Sequence, residues 1–422
     1  MKIKVKDVNY KEVINIGAVK HKNPVKQGAF WRWLLATLSQ AELKAIDFEC
    51  NNIGMDKLGK DEACLVLMNH SSFTDLQIAA TILKDRQYHI VCTNDGLIGK
   101  AGLMRKIGCI PTKKFILDTT LVKDMKYAFD KLNSSILMYP EASYSFDGSQ
   151  TPLPESIGKC IKLMGVPVVM IRTHGAFLRD PLYNNLQKRK VKVTADVKYV
   201  LSPEDCKKLK AAEINSIIND EFEYDHFREQ VEGKIKVCED FRADGLHRVL
   251  YKCPNCNAEK RMLAKGTNIK CGNCGDEHIL TEEGLLENVS GDTKFPYITD
   301  WYKWERECVR EDILADNYVW DADVDIYMLV DEKCIYRVGE GKIHHDKSGF
   351  TLNGCDGDLN FSLKSNRSYS LYSDYYWYEI GDMVCIGDSA KQYYCFPKDQ
   401  KKTTVAKVRL ATEEIYKMQA GC

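Results

Sequence analysis

Between residues 46 and 201 the chain alternates short apolar runs with stretches of helical period. "ACLVLMN" is followed by a helical pattern over 73–83, "YHIVCT" by one over 97–107, "SSILMYP" by one over 155–164, and "VPVVMIRT" closes the series. Runs apolar on both sides suit strands buried on both faces, and helices between successive strands supply the cover. The alternation therefore predicts an α/β domain with a largely parallel sheet.

With 422 residues, 44% of them hydrophobic and 28% charged, the chain is long enough for two or three domains. Its character changes twice after the α/β stretch. Residues 1–245 form the first expected unit, 246–290 are glycine- and cysteine-punctuated, and 291–422 comprise a short aromatic helix, a tyrosine- and valine-rich β region and a closing helical pattern, "AKVRLATEEIYKM". Many small β-folds give such text; a pleckstrin-homology type of barrel is the expectation. The tyrosines of "SYSLYSDYYWYEIGD" are expected as cross-strand packing pairs, and His344-His345-Asp346 as turn residues that point apart.

The formal net charge is zero, so no global field argues for nucleic acid. No signal peptide is apparent, and no run of about 18 apolar residues is present to span a bilayer. The expected location is the cytoplasm. In "FWRWLLATLSQAELKAI", Phe30, Trp31, Leu34, Leu35, Leu38 and Ala45 share one helical face downstream of several lysines. Such a helix either packs on its own domain or lies in the cytoplasmic face of a membrane as a peripheral anchor.

In "LVLMNHSSFTDLQ" a buried-looking strand hands over to a helix at Asn69-His70-Ser71-Ser72, with Asp75 five residues beyond the histidine. Ligands of open α/β sheets bind at such carboxyl-end handovers. A carboxylate at the helix start can take the proton of one imidazole nitrogen and leave the other basic, which makes His70 a candidate general base and Asp75 its partner. Ser72 and Asp75 also match a loose capping box, so the same residues have a purely structural reading.

The blocks that follow are more specific together than singly. His70 and Asp75, then Gly108 and Ile110 with Lys113 and Lys114, then Tyr139-Pro140-Glu141, then "GVPVVMI" from Gly165 reproduce the order and spacing of four motif blocks. On these the N-terminal half, about residues 27–231, resembles the 1-acylglycerol-3-phosphate acyltransferase family. The resemblance implies transfer of a fatty acyl group from a thioester, acyl-CoA or acyl carrier protein, to a lysolipid hydroxyl. His70 would deprotonate that hydroxyl, Asp75 would orient His70, and Asn69, Ser71, Gly108, Lys113, Lys114 and Glu141 would contact substrate. No Gly-x-Ser-x-Gly elbow is present, so Ser71 and Ser72 are expected as caps or site donors rather than nucleophiles. Backbone N–H groups at the helix start are expected to face the developing oxyanion. The chain departs from the family at Lys114 and Tyr144, where arginines associated with the acceptor's phosphate are common. The acceptor is thereby open, with Arg172 or Arg179 as substitutes. A catalytically weak lipid- or acyl-carrier-binding protein is the alternative.

Cys253 and Cys256, then Cys271 and Cys274, form two Cys-x2-Cys knuckles separated by fourteen residues. This is zinc-ribbon spacing, and four thiolates fill a tetrahedral shell, so the expected zinc is structural. Asp276 and His278 are expected outside the shell. Acidic residues interrupt the surrounding lysines and no aromatic lies between the knuckles, which disfavours nucleic acid. The ribbon is instead expected to position the C-terminal domain or to dock a protein such as an acyl carrier.

Overall fold

The computed structural model describes residues 3–17, 19–116, 118–400 and 404–420. The α/β unit is a seven-stranded sheet in the order Glu49–Ile53, Thr194–Leu201, Val168–His174, Leu65–Met68, Ser135–Met138, Tyr88–Thr93, Cys109–Thr112. Every neighbouring pair is parallel except Val168–His174 with Thr194–Leu201, so the sheet is mixed and largely parallel.

Leu65–Met68 lies at its centre and is wholly buried. Because strand side chains alternate, Val66 and Met68 enter one core with Leu43 and Ile78, while Leu65 and Leu67 enter the other with Met125, Ile161 and Ile214. Helices Ala29–Ala45 and Asp75–Ile82 thus cover one face, and Thr119–Leu132, Ile157–Met164 and Ala211–Glu221 the other. Burying each such aliphatic side chain contributes about 1.5–3 kcal/mol.

In Ala29–Ala45 the expected apolar face divides. Trp31 and Leu35 pack on the core, whereas Phe30 and Leu38, joined by Trp33, stay outside, with Trp33 61% exposed. No helix among the described residues is long and apolar enough to cross a membrane.

The cysteine-punctuated stretch forms a four-stranded antiparallel sheet of Met262–Lys265, Asn268–Cys271, Glu277–Leu280 and Leu286–Asn288. Beyond the helix Ile298–Leu314 comes a second large sheet, in the order Leu359–Lys364, Gly349–Gly354, Ile335–Asp346, Trp320–Met328, Gln392–Pro397, Gly381–Gly387, Tyr372–Trp377, all antiparallel. The two edge strands do not pair with each other among the described residues. The helix Val405–Ala420 fills that side, packing against Tyr372–Trp377, Ser365–Arg367 and Ile298–Leu314. Arg306 pins the two helices together through Glu413 at 2.7 Å and Glu414 at 3.0 Å. His344 pairs with Asp321 and Asp346, and His345 with the Tyr318 hydroxyl.

The divisions at 245 and 290 separate stretches of sequence that share one interior. A single core cluster joins Phe177 and Leu182 of the first, Cys253 and Ile269 of the second, and Trp301, Val324 and Val408 of the third. The N-terminal segment also crosses the first division. Val5–Asp7 pairs in parallel with the start of Ile335–Asp346, and Tyr10 and Val13 join the shared core.

The C-terminal sheet seats on turns that follow two strands of the α/β sheet. Ile98 and Phe115 pack with Tyr372, Trp377 and Phe396, Asp95 accepts from the Tyr372 hydroxyl at 2.8 Å and the Trp377 indole at 3.2 Å, and Arg105 pairs with Glu332. Those turns lie at strand carboxyl ends, so the sheet sits over the edge from which ligands are normally approached.

Candidate active site

Asn69 and His70 follow the central strand directly, and Asp75 opens the helix Asp75–Ile82. The short connection folds Asp75 back under the histidine. Its Oδ2 accepts from the backbone N–H of Ser71 at 2.8 Å and of Ser72 at 3.0 Å, and lies 3.0 Å from His70 Nδ1. The capping role and the histidine-orienting role thus fall on one carboxylate oxygen. His70 Nε2 makes no hydrogen bond with a described residue.

Two tyrosines clamp the imidazole. Tyr139 stacks on one side at 4.3 Å between ring centres and Tyr144 on the other at 4.1 Å, with Phe73 extending the stack beyond Tyr144. Burial in this sandwich lowers the basicity of His70, and the Lys114 charge adds to that, against the opposing pull of Asp75. The neutral imidazole, with the Nδ1 proton turned toward Asp75, is a competent base at neutral pH.

The neighbours hold this geometry. Asn69 accepts from the Thr173 N–H at 2.9 Å, tying the end of the central strand to its neighbour. Ser71 Oγ lies 3.1 Å from His226 Nε2, and the Ser72 hydroxyl donates to Asp180, whose buried carboxyl is pushed up to about 7. Both serine hydroxyls are therefore occupied. So are most N–H groups of the handover: Ser71 and Ser72 donate to Asp75, Thr74 to Ser72 Oγ, and Asp75 to the Ser72 carbonyl. The expected oxyanion cradle is not free there.

Glu141 is wholly buried, and its oxygens accept from the His70 N–H at 2.9 Å, the Thr151 N–H at 2.9 Å, the Thr151 hydroxyl at 3.1 Å and the Tyr224 hydroxyl at 2.9 Å. Desolvation pushes its carboxyl up to about 7. Its direct neighbour is the His70 backbone, which makes it a bracket for the site rather than a group aimed outward. Glu141→Ala would strand these donors in the interior and is expected to cost about 2–4 kcal/mol of stability. Chemical denaturation would check this, and a change below about 0.5 kcal/mol would overturn the bracket.

The remaining expected residues are dispersed. Gly108 precedes Cys109–Thr112, at the amino edge of the sheet and away from His70; its φ of +90° and the Tyr88 carbonyl, 2.9 Å from a Cβ placed there, explain a glycine by backbone shape. Arg172 pairs with Glu229 at 2.9 Å and Arg179 with Glu42 at 2.8 Å, so neither offers a free charge. Lys113 reaches the Ser389 carbonyl, and Lys114 lies 4.1 Å above the Tyr372 ring, both on the C-terminal sheet. Sequence reasoning missed His226, Asp180, Tyr224 and the clamping role of Tyr144, which lie far from His70 in the chain and carry no spacing signal.

Residues 50–173 match the acyltransferase family model. The N-terminal half carries an acyltransferase domain, and the chain is an acyltransferase. No curated protein sequence matches it. Among solved structures, the 1-acyl-sn-glycerophosphate (LPA) acyltransferase PlsC from Thermotoga maritima is similar at 15% identity, over 46% of this chain and 80% of that one, with a TM-score of 0.32.

Behind the acyltransferase domain, Cys253, Cys256, Cys271 and Cys274 bring their sulfurs within 4.8 Å of one another. Cys253 and Cys274 are 3.7 Å apart and Cys256 and Cys271 3.8 Å. A tetrahedral ion with Zn–S bonds near 2.3 Å would hold its sulfurs about 3.8 Å apart, so the cluster fits a four-thiolate zinc shell. His278 is turned to Asp276, at 3.0 Å, and stays outside the cluster.

Proposed function

We propose that this acyltransferase moves a fatty acyl group from a thioester, on CoA or acyl carrier protein, to a hydroxyl of a lysolipid such as 1-acylglycerol-3-phosphate. The observation that carries the reading is the 3.0 Å contact of His70 Nδ1 with Asp75 at the carboxyl end of the central strand, with Nε2 bonded to no described residue. Nε2 takes the acceptor's hydroxyl proton as the oxygen attacks the thioester carbonyl. The new C–O bond replaces the C–S bond, and the imidazolium returns its proton to the leaving thiolate. Asp75 keeps the imidazole in the right tautomer and offsets its transient charge. No acyl-enzyme is required, in keeping with the occupied serine hydroxyls.

The test is transfer of labelled acyl groups by the purified full chain, from acyl-CoA and from acyl carrier protein, to lysolipids with and without a phosphate monoester. Turnover with a lysolipid acceptor is the expected result, and failure of every donor and acceptor pair in folded protein would sink the reading. The Tyr144 ring on His70 favours the second reading, a weakly active lipid- or carrier-binding protein, and that failure with retained lipid binding is its signature.

The direction of the His70 shift gives a pH prediction. A base whose basicity is lowered remains neutral into more acidic solution, so the acid limb of kcat/KM is expected to fall below the ordinary imidazole value of 6.5. An acid limb above pH 7 would contradict the sandwich as its cause.

Two further assignments complete the proposal. The exposed Phe30, Trp33 and Leu38, and the exposed Phe73 and Leu76 beside the His70 turn, are read as apolar groups for peripheral contact with the cytoplasmic face of a membrane, where the lipid acceptor resides. The four cysteines hold structural zinc, and the antiparallel meander with its closing helix is read as a barrel of the pleckstrin-homology type.

A further inference from the structure

A cavity of about 500 Å³ opens where the turn at residues 114–116 meets the C-terminal sheet. Its walls mix apolar and polar side chains and come from both sides of the junction, with Phe115 from the acyltransferase domain and Phe361 and Ile386 from the sheet as the apolar part. Three cations line it: Lys114 on one side, and Lys364 and Arg367 on the other. Lys364 and Arg367 are exposed and make no ion pair with another described residue. Asp388 also lines the cavity, but its Oδ1 accepts from the backbone of Ala390 at 2.7 Å and of Lys391 at 2.8 Å.

A pocket of this size with an apolar part and a few convergent charges has the form of a site for one amphiphilic ligand. Unpaired cations at its lining select an anion, and phenylalanine and isoleucine walls select an attached hydrocarbon. Lys114 follows the carboxyl end of Cys109–Thr112, which places the cavity on the same edge of the sheet as His70.

We propose that this interdomain cavity binds the acceptor, a single-chain lipid with an anionic headgroup, and that Lys364 and Arg367 of the C-terminal sheet hold that headgroup together with Lys114. The proposal rests on the lysolipid acyltransferase reading and deepens it. The C-terminal sheet becomes part of the acceptor site and supplies it with the Arg367 guanidinium.

The experiment compares the zinc-loaded full chain with K364E/R367E, a variant altered only at exposed side chains, and with R367K. Hexanoyl lysophosphatidate, the uncharged hexanoyl glycerol and inorganic phosphate are titrated calorimetrically without acyl donor, and acceptor kinetics are then measured with donor present. The expected result is lysophosphatidate binding that is weakened at least about tenfold in K364E/R367E and largely kept in R367K, with much weaker binding of inorganic phosphate and of hexanoyl glycerol. Acceptor KM should rise in parallel while kcat changes little. Equal affinity of wild type and K364E/R367E for lysophosphatidate would overturn the proposal, as would phosphate binding as tight as the lipid's. Charge-dependent lipid binding without turnover would uphold the cavity and sink the enzymatic reading. Turnover with an unchanged acceptor KM in the variant would do the reverse.

Discussion

Replacing His70 with alanine is expected to lower kcat/KM for acyl transfer by about 10²–10⁴-fold, the range for losing a positioned general base. The geometry allows no ready substitute. His226 is buried, with one nitrogen held by Ser71 and the other 3.5 Å from Glu229, and His174 pairs with Asp196 and Glu229. The imidazole also fills the gap between Tyr139 and Tyr144, so the alanine variant should lose some stability as well. His70→Gln keeps most of that volume without a base, and it should match the alanine variant in activity while melting closer to wild type. Activity within a few-fold of wild type in either variant would remove His70 from the mechanism. Asp75→Asn is expected to cost less in activity, because an amide oxygen can still accept from Ser71 and Ser72 while failing to stabilise the imidazolium.

The second large effect concerns the cysteine cluster. One zinc per chain is expected by elemental analysis, and removing it with a strong chelator, or making C253S, should destabilise the fold by several kcal/mol. The loss should spread well beyond the knuckles. Cys253 and Cys271 belong to the same core cluster as Trp301, and the Trp301 indole donates to the Lys252 carbonyl, 2.9 Å away, next to the first cysteine. Tryptophan fluorescence should therefore shift to the red with metal loss, and acyl transfer should fall although no step passes through the metal. Zinc-free protein with an unchanged melting temperature would show the cluster to be an ordinary group of reduced thiols.

The α/β unit was legible because a strand covered on both faces reads as a run of apolar residues, which holds for all of Leu65–Met68, for 136–138 of the strand Ser135–Met138 and for 168–171 of the strand Val168–His174. The cysteine knuckles were legible because a tetrahedral ion fixes short spacings within each pair. Other features depend on distances the linear chain does not carry. Lys113 and Lys114 looked like a turn facing solvent or a phosphate, and they face the C-terminal sheet instead because Tyr372 and Ser389 arrive there from more than 250 residues away. Glu141, placed with the substrate-contacting residues by its motif, meets its four donors only in the folded chain, from residues 10 to 83 positions away. Gly108, placed with the substrate-binding residues by its motif, answers to the Tyr88 backbone.

The parallel pairing of Val5–Asp7 with Ile335–Arg337 has a consequence for biosynthesis. Val5–Asp7 must wait for more than 300 further residues before its neighbour exists, so it is placed well after it is made. Domains ordinarily fold in the order of their synthesis. Here two strands more than 300 residues apart in the chain are joined in one sheet, and closing so long a loop is slow. Expression of residues 1–245 alone would leave that strand and the faces of Ile98 and Phe115 uncovered. Supplying the two halves as separate chains in one cell should recover soluble protein that neither half yields by itself.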